Sequence, residues 1–98
     1  MFSNTKFPTV KLVSVSDAAY TVLASDVMLV VTKGGNEVYI PNATGSQRWL
    51  CVNNQSPASS VKVVNASSHL INASSEIFLS QYQSVQLVDV AASLWTKI

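Results

Sequence analysis

Alternation of apolar and polar positions sets the first expectation for this chain. Residues 11–16, Lys-Leu-Val-Ser-Val-Ser, switch character at every step, the period of a strand with one buried face. Tyr20–Ala24 and the β-branched run Val27–Thr32 follow, then Glu37–Ile40, Arg48–Asn53, Val61–Val64, Glu76–Leu79, Val85–Asp89 and Leu94–Ile98. Residues 64–75 contain Asn-Ala-Ser-Ser twice and read as paired turns around Leu70 and Ile71. Asp17–Ser25 and Asp89–Leu94 have room for a helical turn, but no longer stretch keeps a helical period. About eight short strands separated by turn formers are the spacing of a sandwich or barrel. The expected fold is therefore all-β: a compact antiparallel β-sandwich or barrel-like (jelly-roll-like) domain over residues 11–98, after an extended arm at 1–10.

The turns sharpen that picture. Lys33-Gly-Gly-Asn offers positive φ at no steric cost, which predicts a tight hairpin joining Val27–Thr32 to Glu37–Ile40. Pro41 lacks an amide donor and should end the ladder, and Gly45 should pivot the loop at 42–47. Side-chain parity then sorts the faces. Val38, Ile40, Leu50, Val52, Val61, Val63, Ile71, Ile77, Leu79, Val85 and Leu87 should point inward. The opposite parity carries Tyr39, Trp49, Cys51, Val64, Phe78 and Val88, where a solitary domain would be mostly polar.

Composition explains why that second face matters. The chain is 48% hydrophobic and only 11% charged, against about one quarter charged in an average soluble domain. A domain this small hides only roughly 60–65% of its unfolded surface, so apolar side chains must remain outside. An assembly subunit is the expectation, not a free monomeric enzyme. The candidate subunit or capsid contacts are Phe2, Phe7, Tyr39, Trp49, Val64, Phe78, Val88 and Trp95. For the two tryptophans, packing in core or interface is favoured over a sugar-stacking platform, because both lie in apolar strands.

Charge and chemistry remove other classes. The six cations stand singly, with a net charge of +1, so no basic patch for nucleic acid is expected. Lys33 and Arg48 read as solvated side chains near turns. The longest apolar run, Val27–Val31, is too short for a membrane span, and the first residues lack the apolar stretch of a signal peptide. Asn42, Asn65 and Asn72 begin glycosylation patterns that read as by-products of an Asn- and Ser-rich chain. Cys51, the single cysteine, reads as a small hydrophobe in a strand. One His, one Cys and five dispersed carboxylates give no metal spacing, and no phosphate-binding loop is present. His69 lies in a Ser-rich turn without a nucleophile elbow and reads as a surface histidine. No catalytic residue, metal or cofactor is expected.

The order of several segments resembles a β-rich module of tailed-phage virions, found in tail fibres, head fibres and capsid-associated proteins. The segments are Ala24-Ser-Asp-Val-Met-Leu-Val-Val, the Gly-Gly turn, Val38-Tyr-Ile-Pro-Asn-Ala-Thr-Gly, Ser84-Val-Gln-Leu-Val-Asp and Trp95, within residues 20–98. The chain departs from that module at Ile40, where leucine is usual, and at residues 89–94, which replace an Asp-Gly turn. The resemblance implies a virion protein, commonly homotrimeric, with no catalytic residues to carry over. Because Met1 stands almost directly before the module, a capsid decoration (cement) protein or small head fibre is expected, with the major capsid protein or another virion protein as partner. The arm with Phe2 and Phe7 would then dock on the shell. The alternative is a tail-fibre or receptor-binding module that meets host surface glycan.

Overall fold

The computed structural model describes residues 12–33, 35–56, 60–67, 69–72 and 74–98. The expected arm, with Phe2 and Phe7, lies outside the described residues. Ten strands run in order: β1 (Leu12–Val15), β2 (Ala19–Thr21), β3 (Met28–Val31), β4 (Glu37–Ile40), β5 (Trp49–Asn54), β6 (Val61–Asn65), β7 (Leu70–Ile71), β8 (Glu76–Leu79), β9 (Ser84–Ala91) and β10 (Leu94–Lys97). Among the described residues there is no helix, and hence none long and apolar enough to cross a membrane. The all-β expectation holds.

Strand partners differ from the antiparallel expectation. A six-stranded sheet has the order β1-β3-β5-β9-β10-β7, and a four-stranded sheet the order β2-β4-β6-β8. The first six strands alternate between the two sheets, and within each sheet they are parallel. They wind as three coils of a flattened solenoid, each parallel crossover being a strand of the opposite layer. Leu12, Met28 and Cys51 sit in one rung, and so do Val13, Leu29 and Val52. The last strands reverse and close this end: β8 is antiparallel to β6, β9 to β5 and β10 to β9.

The Gly-Gly turn is therefore not a hairpin. It carries the chain from β3 in one sheet to β4 in the other, with Gly35 at a φ of 78°. The reason lies in the core. Leu29 and Val31 on β3 and Val38 and Ile40 on β4 all need the same interior, and strands in opposite layers can both aim at it. Pro41 follows the last residue of β4, and Gly45 adopts a φ of 81°, both as the sequence predicts. Of the positions expected inward, all but Ile77 are buried; Ile77 is half-buried at the margin of the cluster.

Asparagines hold the coil corners. Asn36 precedes β4 and its amide donates to the Asp17 carbonyl of the preceding coil. Asn54 ends β5; its Nδ2 donates to Leu79 O (3.0 Å) and its Oδ1 accepts from Ser56 N–H (2.9 Å). Asn65 ends β6; its Nδ2 donates to Ile40 O (2.9 Å) and Asn42 Oδ1 (3.1 Å), while its Oδ1 accepts from the N–H groups of Ser67 and His69. A short amide with two donors and two acceptor sites suits a corner, where backbone groups leave the ladders and are buried. Asn65→Ala should cost about 2 kcal/mol, because it strands several of these partners. A thermal melt should fall by roughly 10 °C, and a change within about 3 °C would contradict this corner role.

Candidate protein interface

The two sheets turn chemically different faces outward. On the six-stranded sheet, the outward positions of β1, β3, β5 and β9 carry no charged residue. Leu12, Met28 and Cys51 form one row across β1, β3 and β5, with Gln86 of β9 continuing it. Trp49 and Val88 stand directly opposite each other on β5 and β9. Trp49 is 55% exposed and Leu12 63%. Beside Trp49 lies a depression of about 190 Å³ lined by Val27, Leu50, Cys51 and Gln86. Burial pushes the Cys51 thiol up from its ordinary value, so it stays protonated and apolar at neutral pH.

The four-stranded sheet shows the opposite character. Lys62 Nζ lies 3.0 Å from Glu37 Oε2 and 3.6 Å from Glu76 Oε2, across three adjacent strands. The Tyr39 hydroxyl donates to Glu37 Oε1 at 2.8 Å. Hydrogen bonds from Lys62 and then Tyr39 hold the Glu37 carboxyl below its ordinary value, and bonding to Glu37 raises both Lys62 and Tyr39. This lattice is a solvated surface, and exposed ion pairs of this kind contribute little to stability. Phe78, 59% exposed, stands next to Lys62 in the register.

The expected contact residues therefore divide. Trp49 and Val88 meet on the uncharged face, whereas Tyr39, Val64 and Phe78 lie on the charged one, with Tyr39 and Val64 in register. Trp95 belongs to neither surface, which corrects its place among the contacts. It is fully buried, and its indole N–H donates to Pro41 O at 2.9 Å. The interior can take this ring because the one polar atom of Trp95 finds an acceptor.

Two expected surface residues are also structural. The Arg48 guanidinium is not merely solvated: Nη2 donates to Leu23 O (2.6 Å) and Asp26 O (2.7 Å), tying the loop after β2 to the start of β5. His69 is half-buried, and its Nδ1 accepts from Ala43 N–H at 3.1 Å.

Sequence reasoning missed two buried carboxylates. Asp26, 1% exposed, accepts from the Tyr20 hydroxyl (2.6 Å) and Leu23 N–H (2.8 Å). That hydrogen bond, then burial and the nearby charge, push the Tyr20 hydroxyl up to about 12. Asp89, 2% exposed, accepts from Thr44 N–H, Gly45 N–H and Ser46 Oγ. Its signal was present in the sequence: Asp89 shares the inward parity of Val85 and Leu87, and a carboxylate there demands donors. Among the described residues, no three His, Cys, Asp or Glu side chains gather to hold a metal ion. The chain matches no protein family, curated protein or solved structure. Physical character is thus what ranks the surfaces, and the uncharged face with Trp49 is the candidate interface.

Proposed function

We propose that this chain is a non-enzymatic structural subunit of a tailed-phage virion, a capsid decoration or head-fibre protein that acts as a homotrimer. In this reading the outer face of the six-stranded sheet packs against the shell. One observation carries it: an outward sheet face that is rich in apolar side chains and free of charge, on a chain whose other face is laced with ion pairs. Such a face loses little on desolvation, and a contact burying roughly 800 Å² on each partner is of the standard size for stable complexes. Trp49, exposed beside its depression, is the expected anchor, since large aromatics dominate such contacts. The resemblance of residues 20–98 to virion modules supplies the partner class.

Co-sedimentation with empty capsids of the parent virus tests this reading. Binding should saturate at a fixed copy number, and Trp49→Glu should weaken it by at least about tenfold, as loss of a buried anchor does. The thermal melt of the variant should stay near wild type because Trp49 is largely outside the core. Absence of binding, or binding indifferent to Trp49→Glu, would remove the shell contact. The second reading, a tail-fibre module that meets host glycan, draws on Trp49 standing beside the Gln86 amide at the same depression. Glycan-array binding lost with Trp49→Ala would favour it.

A further inference from the structure

We infer that copies of this chain join end to end, the β2 edge of one copy adding as a strand onto the β8 edge of the next. This rests on the assembling-subunit reading above and names both the partner, a second copy, and the joint. Among the described residues, the four-stranded sheet begins at β2 and ends at β8, so each has a neighbour on one side only. Glu37 N–H donates to Ala18 O and Val22 N–H donates to Tyr39 O. By the two-residue period, the main-chain groups of Ala19 and Thr21 therefore point away from β4. On the far flank, Lys62 N–H donates to Asn36 O, which turns the main chains of Val61 and Val63 toward their register partners Leu79 and Ile77 on β8. The groups of Glu76 and Phe78 then face outward. Two short rows of donors and acceptors are thus presented at strand spacing, and another extended backbone is their natural complement.

Both edges are short, but they lack the strongest of the devices that discourage such pairing. Ala19–Thr21 and Glu76–Leu79 hold no proline and no lysine, and neither pairs through a bulge. The one charge, Glu76, is engaged by Lys62. Along β8 opens a cleft of about 740 Å³, walled by Ile77, Phe78 and Leu79 on one side and by Gln83, Ser84 and Val85 on the other. The opposite flank of the molecule supplies what would fill it. Leu23, two residues past the end of β2, is 56% exposed. An incoming β2 would carry this leucine toward the apolar wall of Ile77 and Leu79, which is the reason for preferring a second copy over an unrelated peptide. Because the joint uses two different edges, every copy can satisfy both of its own by closing into a ring, as a trimer would.

Thr21→Pro and Phe78→Pro each remove an outward N–H, and each follows a residue already extended. Light scattering across a dilution series should give an oligomeric mass for wild type. Each variant alone should associate at least about a hundredfold more weakly, through the lost bond and the ring clash. Their equimolar mixture should form a 1:1 dimer and nothing larger, since one copy keeps β8 and the other keeps β2. A monomeric wild type, variants that assemble like wild type, or a mixture that stays monomeric would each overturn the joint. Should a proline variant lose its cooperative melt, Thr21→Lys and Phe78→Lys serve in the same scheme, each setting a lysine on one pairing edge. Trp49→Glu should leave the oligomeric mass unchanged. A wild type that oligomerises without binding capsids would therefore overturn the shell contact alone, and a monomeric wild type that still binds them would overturn the strand joint alone.

Discussion

Trp95→Ala is expected to cost about 4 kcal/mol, the middle of the range for emptying a large aromatic site. The ring is fully buried, and Trp95 shares its rung with Asp89 of β9 and Ile71 of β7, so its loss opens a void where three strands meet. Pro41 O also loses its donor. For a domain of about a hundred residues, the melting midpoint should fall by roughly 20 °C. Trp95→Phe keeps most of the packing and should cost less than half as much. Single phenylalanine substitutions check the assignment of the two tryptophans spectroscopically. In Trp49→Phe, the remaining Trp95 should emit at short wavelength and resist quenching, whereas Trp95→Phe should leave the exposed, quenchable Trp49. A Trp95→Ala midpoint within about 5 °C of wild type would remove Trp95 from the core.

The second large effect is at Asp89, which gathers the loop at 44–46 onto the end of β9. Burial pushes its carboxyl up, and the hydrogen bonds from Thr44, Ser46 and Gly45 together outweigh burial, leaving it below its ordinary value of 3.8. A carboxyl lowered by folding stabilises the native state in its ionised form. That contribution is complete above 3.8 and disappears as pH falls through the lower folded value. Asp89→Ala should cost about 3 kcal/mol at neutral pH, because it deletes a charged acceptor and leaves buried N–H groups without one. Asp89→Asn should cost nearly as much, its amide donors facing the donors of the loop. Melts recorded as the pH is lowered through the carboxyl range should show wild type losing stability on the acid side and Asp89→Asn losing less. Glu37 is lowered as well, but it is held by an exposed ion pair that salt screens. The difference between wild type and Asp89→Asn should therefore persist at high salt. An acid limb of equal steepness in both proteins would show that Asp89 does not carry it.

The turn at residues 92–93 shows how the structure meets the sequence between the last two strands. Ser93 takes a φ of 66° and its N–H donates to Ala43 O, while the β9–β10 register shifts between Leu94 and Trp95. The shift pairs Trp95 with Asp89 and helps to place the ring inside. Local sequence gave no sign of this, since Trp49 and Trp95 both stand in apolar strands of similar length.

Faces and most strands were legible from the sequence alone, although β7 lies where paired turns were expected. The period of two is local physics, and it placed Val38, Ile40, Val61, Val63, Leu50 and Leu87 inside and Trp49, Phe78 and Val88 outside, as they are found. Pro41 and Gly45 act locally too, through a missing donor and a permitted φ. Strand partners were not legible. Parity says which way a side chain points but not which strand lies beside it, and Gly-Gly permits a crossing between layers as readily as a hairpin. The coil repeat was hidden because its steps differ: 16 residues from Leu12 to Met28 and 23 from Met28 to Cys51. Tertiary structure alone set the expected contacts on two opposite faces, moved Trp95 into the core and left β2 and β8 as open edges. Each of these depends on pairing between residues distant in the chain, and hydrogen-bond ladders record that pairing where side-chain pattern does not.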